Sequence, residues 1–423
     1  MRRTISAAAA AVAVAGCVAG LLHLGPDASR PRSTAAPAAA DGGHGAPLSP
    51  VAAARQRTDA HPDDPAAWAG LARAEIEQAR ITLDAGRLDA AEKALRRSLD
   101  LDGTDNYGAV TGQGLLANAR HEFPRGREYG LRATRMAPDR PDGYAVLADA
   151  EIQLGNYRRA RAAVQRMLDI APTTAAYSRA AYDLETNGRP DDAAIALRRA
   201  LDSAATPDER AFTEARLGDL AWSRGRADEA ERHYRRALAA VPDHPYGRAG
   251  IARATAARGR TGAALELYTR LVERMPLPQF LLEALELRHA CGDTRGGGER
   301  AALEAQVRMV RADGGPVDPH LVLYAAGHGD PEVAVELGRR AWKHARGVIV
   351  ADALGWALHR AGQNTEALAH ARRAAATGWK NALFRYHRGT IEQALALPEA
   401  TRHLREAAAL NPHLLPHCPD GDR

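Results

Sequence analysis

Histidine is the one side chain with metal-ligating or acid–base chemistry that is unevenly placed along these 423 residues. Nine of the sixteen lie from His320 onward: His320, His328, His344, His359, His370, His387, His403, His413 and His417. His413-x3-His417 stands at one-turn spacing with Cys418 adjacent, a set that suits a borderline divalent metal if the segment is helical. Pro412, Pro416 and Pro419 argue against that helix. The upstream histidines show no recurring ligand spacing, so they read as exposed polar positions and no metal site is expected. A metal-handling accessory role for the His-rich C-terminal half stands as the alternative function, which metal titration decides.

Catalytic constellations are sparse. Gly112-x-Gly114-x2-Ala117 fits a loose dinucleotide fingerprint, but that fingerprint needs a preceding strand to aim backbone amides at a pyrophosphate. No strand precedes it here. The sequence contains no GxSxG elbow, HExxH, CxxC or Gly-x4-Gly-Lys loop. Carboxylate pairs such as Asp191-Asp192 read as solvated caps. No catalytic residue and no cofactor is expected, and an enzyme would need a site scattered over several helices.

The formal charge of +5 suggests a nucleic-acid partner, yet 57 basic residues are interspersed with 52 acidic ones and form no long block. Nucleic acid is therefore not expected. Cys17, Cys291 and Cys418 suggest no disulfide framework. Cys291 reads as a small buried residue.

The elements that carry these residues repeat. In Ala211 to Pro242, Leu217-Gly218-x2-Ala221 is followed by Ala230-x3-Tyr234-x2-Ala237 and then by Pro242. A small residue recurs in a first helix at Gly114, Ala148, Ala181, Gly218 and Ala252. A second column falls at Gly126, Ala160, Ala193, Ala230 and Ala264. Both step by 34, 33, 37 and 34, and Ala334, Ala367 and Ala400 continue at a step of 33. Two columns in register mark stacked helical hairpins whose small residues let the helices approach. In the first hairpin, Trp68-x2-Leu71 to Ala91-x3-Leu95, the spacing is longer and places the extra residues in the first helix.

This spacing resembles the tetratricopeptide repeat, a helix-turn-helix unit of 34 residues. The resemblance covers Pro62 to Pro412. It implies an all-α, right-handed superhelical α-solenoid of about ten hairpins that binds a protein or peptide on its concave face and has no catalysis of its own. Groove residues in that family come from the first helix of each hairpin. The register puts Tyr182, Glu185, Phe212, Asp219, Trp222, Tyr246 and Arg253 there, with Trp222 at the centre of an aromatic and polar groove. Phe212 and Tyr246 also suit packing between repeats. The Lys and Asn clamp that one subgroup uses on chaperone C-termini is missing: Ala145 and Asp149, Ser178 and Tyr182, Ala215 and Asp219, and Ala249 and Arg253 hold those positions.

Four regions follow. Residues 1–24, with Arg2 and Arg3 before the apolar run Ile5 to Leu22, read as an export signal. Three readings stand: lipidation of Cys17 in a lipobox-like Val14-Ala15-Gly16-Cys17, an uncleaved peptide anchor, or cleavage near Ala35 to Ala40 with release. The last site lies too far from the apolar core, so the first two are favoured. Either tethers the chain to the membrane with the remainder outside the cytoplasm, so the expected partner is a cell-envelope protein or peptide. Residues 25–60 read as a Pro/Ala/Gly-rich linker, 61–416 as the solenoid with a joint near 293–317, and 417–423 as a tail. Nothing in the sequence sets an oligomeric state.

Overall fold

The computed structural model describes residues 49–82, 84, 86–293, 297–416 and 418. The leader, with Cys17, lies outside the described residues, as do His417 and most of the tail. Among the described residues every regular element is an α-helix, twenty-one in all. The first, α1 (Pro50–Ala60), is capped by Ser49, whose side chain accepts from the Ala52 amide, and it places Val51 and Ala54 in a core. The last part of the stretch read as linker is therefore helix. Its apolar residues are few but spaced to one face, which a composition count hides.

Ten hairpins follow: α2 (Pro65–Thr82) with α3 (Gly86–Leu101), α4 (Tyr107–Ala119) with α5 (Phe123–Met136), α6 (Pro141–Gln153) with α7 (Tyr157–Ile170), α8 (Thr174–Thr186) with α9 (Pro190–Asp202), and α10 (Pro207–Ser223) with α11 (Ala227–Ala240). They continue as α12 (Pro245–Ala257) with α13 (Thr261–Arg274), α14 (Pro278–Ala290) with α15 (Gly297–Asp313), α16 (Pro319–His328) with α17 (Pro331–His344), α18 (Val348–Arg360) with α19 (Asn364–Ala375), and α20 (Ala382–Ala394) with α21 (Ala400–Leu410). The extra residues of the first hairpin sit in α2, which runs for 18 residues.

Local chemistry sets the ends. At α10, the Thr206 hydroxyl accepts from the Glu209 amide while the Glu209 carboxylate accepts from the Thr206 amide, a complete capping box. Gly225 closes the same helix at φ +69°, where a side chain would be strained. In two hairpins the left-handed turn residue is not glycine but His121 or Ala396, at φ 59° and 53°. The joint region holds α15, which begins at Gly297 and buries only Glu299 and Leu303, whereas nine residues of α14 are buried.

The small-residue columns do what the spacing predicts. Ala230 and Ala264 have no exposed surface. The Tyr234 ring of α11 is gripped between two glycines: a Cβ on Gly218 would come within 2.5 Å of it, and one on Gly250 within 2.4 Å. Ala230, Tyr234 and Trp222 share one core cluster.

The described chain forms two compact units, one ending at Leu147 and one beginning at Ala148. In the first, the buried Glu75 carboxylate accepts from Arg55 at 2.7 Å and Arg87 at 2.9 Å, while Gly112 lets Leu95 lie where its Cβ would be. The apparent dinucleotide fingerprint is thus mid-helix packing. In the second unit, loops of later hairpins lie on the turns of earlier ones. The Arg346 amide donates to Gln153 O at 2.7 Å, and the Val348 amide to the Tyr157 hydroxyl at 2.9 Å. Gly188 meets the carbonyl of Gly378, and Gly225 meets the Pro412 ring. Partners such as Tyr157 and Val348 are 191 residues apart.

Gly250→Ala is expected to destabilise by roughly 1–3 kcal/mol through overpacking on Tyr234, and Ala230→Leu by a similar amount. Gly262, with nothing within 4 Å of a built Cβ, is the control. Gly262→Ala is expected to leave stability unchanged or raise it by up to about 1 kcal/mol, read in urea melts.

Candidate partner-binding face

The first helices of successive hairpins are joined by buried charges. Arg179 of α8 forks onto Asp149 of α6, with Nε to Oδ1 at 2.9 Å and Nη2 to Oδ2 at 2.7 Å. Arg216 of α10 donates to Glu185 of α8 at 3.0 Å and to Asp219 at 3.3 Å. Arg253 of α12 then bridges Asp219 of α10 at 3.3 Å and Glu283 of α14 at 3.1 Å. The Tyr234 and Tyr268 hydroxyls donate to Asp219 and Glu283, each at 2.8 Å. His328 of α16 lies 2.9 Å from Glu286 of α14, and His387 of α20 lies 2.8 Å from Asp352 of α18.

Burial governs how these groups titrate. It raises the Asp149 carboxyl, with Arg179 pulling back against it; it raises Glu185 against Arg216, and Glu286 against His328. Burial alone would lower the Arg253 guanidinium, but Glu283, Tyr234 and Asp219 reverse this and hold it charged. The Tyr234 phenol is pushed up, first by burial and then by Asp219.

Of the seven residues placed on the groove by register, Asp219 and Arg253 touch each other, and none of the seven stands on open surface. Glu185, Asp219 and Arg253 belong to the charge ladder. Tyr182 is 2% exposed and meets the edge of Trp379, which follows α19, at 6.0 Å between ring centroids. Phe212 is buried within α10, and half-buried Tyr246 packs edge-on to Phe280 at 5.7 Å. Trp222 is 3% exposed, stacked on His413 at 5.9 Å, and its carbonyl accepts from Asn411 Nδ2 at 3.0 Å. The expected open groove centred on Trp222 is thus corrected in this structure. Its rim is covered by chain about 190 residues further on, a relation that a 34-residue period does not encode.

The histidine reading is corrected too. His320, His387 and His403 are buried, paired respectively with Asp318, Asp352 and Glu392. His387 also stacks on Trp356 at 4.2 Å, while His370 meets Trp342 edge-on at 5.0 Å. His344 remains exposed. Cys418, which follows the His413-x3-His417 spacing, is bonded to Cys291 with the two Cα atoms 5.0 Å apart. Among the described residues no group of three or more His, Cys, Asp or Glu side chains is placed to hold a metal ion.

A family model described as the tetratricopeptide repeat matches residues 76–141, 145–210 and 215–276. These stretches are tetratricopeptide repeats. The match takes in the hairpins whose first helices carry most of the ladder, and the solenoid of tetratricopeptide-like hairpins runs on past it to α21. The chain is 27% identical over 264 residues to the cellulose synthase 1 operon protein C of Komagataeibacter xylinus, a match covering 59% of this chain. It spans 18% of that protein's length. Among solved structures, the APC/C hetero-tetramer Cut9–Hcn1 aligns at TM-score 0.42 and 15% identity, over 81% of this chain and 74% of that one. A tetratricopeptide-repeat protein of Thermus thermophilus aligns at TM-score 0.37 and 20% identity, over 49% of this chain and 100% of that one.

Arg253→Ala strands Glu283 and Asp219 and is expected to cost about 3–5 kcal/mol in urea unfolding. Arg311 and Glu336 form an exposed pair, and Arg311→Ala is expected to cost roughly 0–1 kcal/mol. Acid provides a separate test. Burial holds His359 and His370 below the ordinary imidazole value of 6.5, so the unfolded chain binds these protons more readily. Their contribution is whole above pH 6.5 and is lost as pH falls from there through the folded values. His370→Gln is expected to make the fall in melting temperature over that window shallower.

Proposed function

We propose that the chain is a non-catalytic scaffold that works outside the cytoplasm and binds a protein or peptide partner of the cell envelope. One observation carries this reading: the described chain from Pro65 to Leu410 is an array of ten tetratricopeptide-like hairpins, and such repeats generally serve as non-catalytic scaffolds. The relative in Komagataeibacter xylinus, named for a cellulose synthase operon, supports an envelope setting. A disulfide between Cys291 and Cys418 supports an oxidising compartment. The basic start and apolar run of residues 1–24 support export and tethering through a peptide anchor or a lipid on Cys17. Among the described residues no helix is long and apolar enough to cross a membrane.

The inner face of α8, α10 and α12 remains the proposed place of contact, through Tyr182, Glu185, Phe212, Asp219, Trp222, Tyr246 and Arg253. Rigid aromatic rings flanked by charges of both signs are what an interface centre uses. One detail favours Trp222 among them. Its buried Nε1 has no hydrogen-bond partner among the described residues, so an acceptor on an incoming chain would satisfy a donor that the fold leaves open. A partner would reach this ring after displacing the segment that follows α21.

Cell fractionation tests the location. The full-length protein is expected in the membrane fraction, with the repeats open to external protease. If the apolar run is the tether, Cys17→Ser stays in the membrane fraction; if the lipid is, the variant moves to the soluble fraction. Wild-type protein that is soluble, or repeats protected from external protease in intact cells, would overturn the reading.

A further inference from the structure

After α21 the chain runs back over α10 without regular structure. Asn411 is 3% exposed and ties to Trp222 O, the Pro412 ring fills the space beside Gly225, and the His413 ring covers the Trp222 indole. Leu414, 6% exposed, sits in a cluster with Ala382, Leu383 and Ala407. Cys418, 8% exposed, lies with its sulfur 3.7 Å from the Thr261 hydroxyl of α13 and is bonded to Cys291, the residue that ends α14. Polar ties from this segment to earlier hairpins include Asn411 to Trp222 and Cys418 to Thr261. Ordering an irregular segment loses backbone freedom at every residue. A covalent closure across 127 residues of sequence removes much of that freedom before the segment seats.

We infer that residues 411–416, closed by Cys418, are a disulfide-locked strap occupying the Trp222 face as a built-in ligand, and that thiol–disulfide exchange unlocks it. The exposures set the direction of attack, because Cys291 is partly exposed and Cys418 is buried. The thiolate of a dithiol reductant attacks the Cys291 sulfur. A new S–S bond forms there and Cys418 leaves as a thiolate, which takes a proton. The second thiol of the reagent displaces Cys291, which also leaves as a thiolate. Two electrons pass to the protein, and the reagent departs as a cyclic disulfide. The strap, no longer tied to α14, leaves Trp222 and Gly225 open. This mechanism stands whether or not a partner then takes the vacated face.

Hydrogen–deuterium exchange on the full-length Cys17→Ser chain, before and after treatment with dithiothreitol, tests it. Reduction is expected to speed amide exchange about tenfold or more in residues 411–416 and 222–226, with α18 and α19 unchanged. Cys418→Ser without reductant is expected to show the same pattern and no further response to dithiothreitol. Should that variant fail to fold, the wild-type pair of measurements still decides. Two thiols that titrate freely in the untreated protein would overturn the lock. So would a strap that stays protected after reduction, or faster exchange spread over all of α16 to α21, which would make the bond a staple for whole hairpins.

Discussion

The buried charge pairs between consecutive first helices are the constraint on which the solenoid's inner face depends. Each ion taken out of water costs several kcal/mol unless a partner meets it with good geometry. In the Arg216–Asp219–Arg253–Glu283 run every charge has at least one such partner on a neighbouring hairpin. Such pairs add little net stability over an apolar contact of the same shape, but they are intolerant of error. Sliding one hairpin against the next by a helical turn would part each arginine from the carboxylate it now meets. The ladder therefore fixes the register of hairpins whose other contacts, largely alanine, leucine and glycine, tolerate more than one alignment.

Much of the fold was legible in the sequence because a hairpin's interior is a local affair. The columns that contain Gly218 and Ala230 report how closely two helices approach, and both partners lie within one period of about 34 residues. The same register brought Glu185, Asp219 and Arg253 to the inner face. It missed that they face each other. The spacing of opposite charges at 30, 31 and 34 residues was present as a signal, in Asp149 to Arg179, Glu185 to Arg216 and Asp219 to Arg253. The burial of Trp222 and Tyr182 had no such signal. Part of it comes from His413 and Trp379, and proximity at that distance along the chain follows from how tightly the hairpins wind. The pairing of Cys291 with Cys418 was hidden for the same reason, as was the partnership of His387 with Asp352.

These long-range contacts change what the interior can offer. In an open solenoid the first helices would present side chains to whatever enters; here the unit beginning at Ala148 answers many of them from within. Trp379 seals Tyr182, Asn411 and His413 seal Trp222, and the tyrosine hydroxyls close on Asp219 and Glu283. Binding by this chain is then a competition between its own segments and an incoming one, settled by differential affinity for the two arrangements. A partner gains most where the internal contact is made by irregular chain, which is true of the segment after α21 and not of the Arg253 cluster.

The seating of late loops on early turns also bears on the order in which the chain acquires structure. A repeat protein whose units touch only their neighbours can nucleate anywhere and propagate, and its local contacts favour speed. In the unit from Ala148 onward, the turn at Gly155 finds its covering backbone at Arg346, and the carbonyl of Trp222 waits for Asn411. A chain emerging from its amino end would hold those turns bare for the time taken to make nearly two hundred further residues. Loop closure over such separations is slow and exposes apolar surface meanwhile. The kinetic signature expected from such an order is a fast phase of helix and hairpin formation, then a slower one in which the late loops seat on the early turns. Loss of the last hairpin by truncation would register far away, at α10.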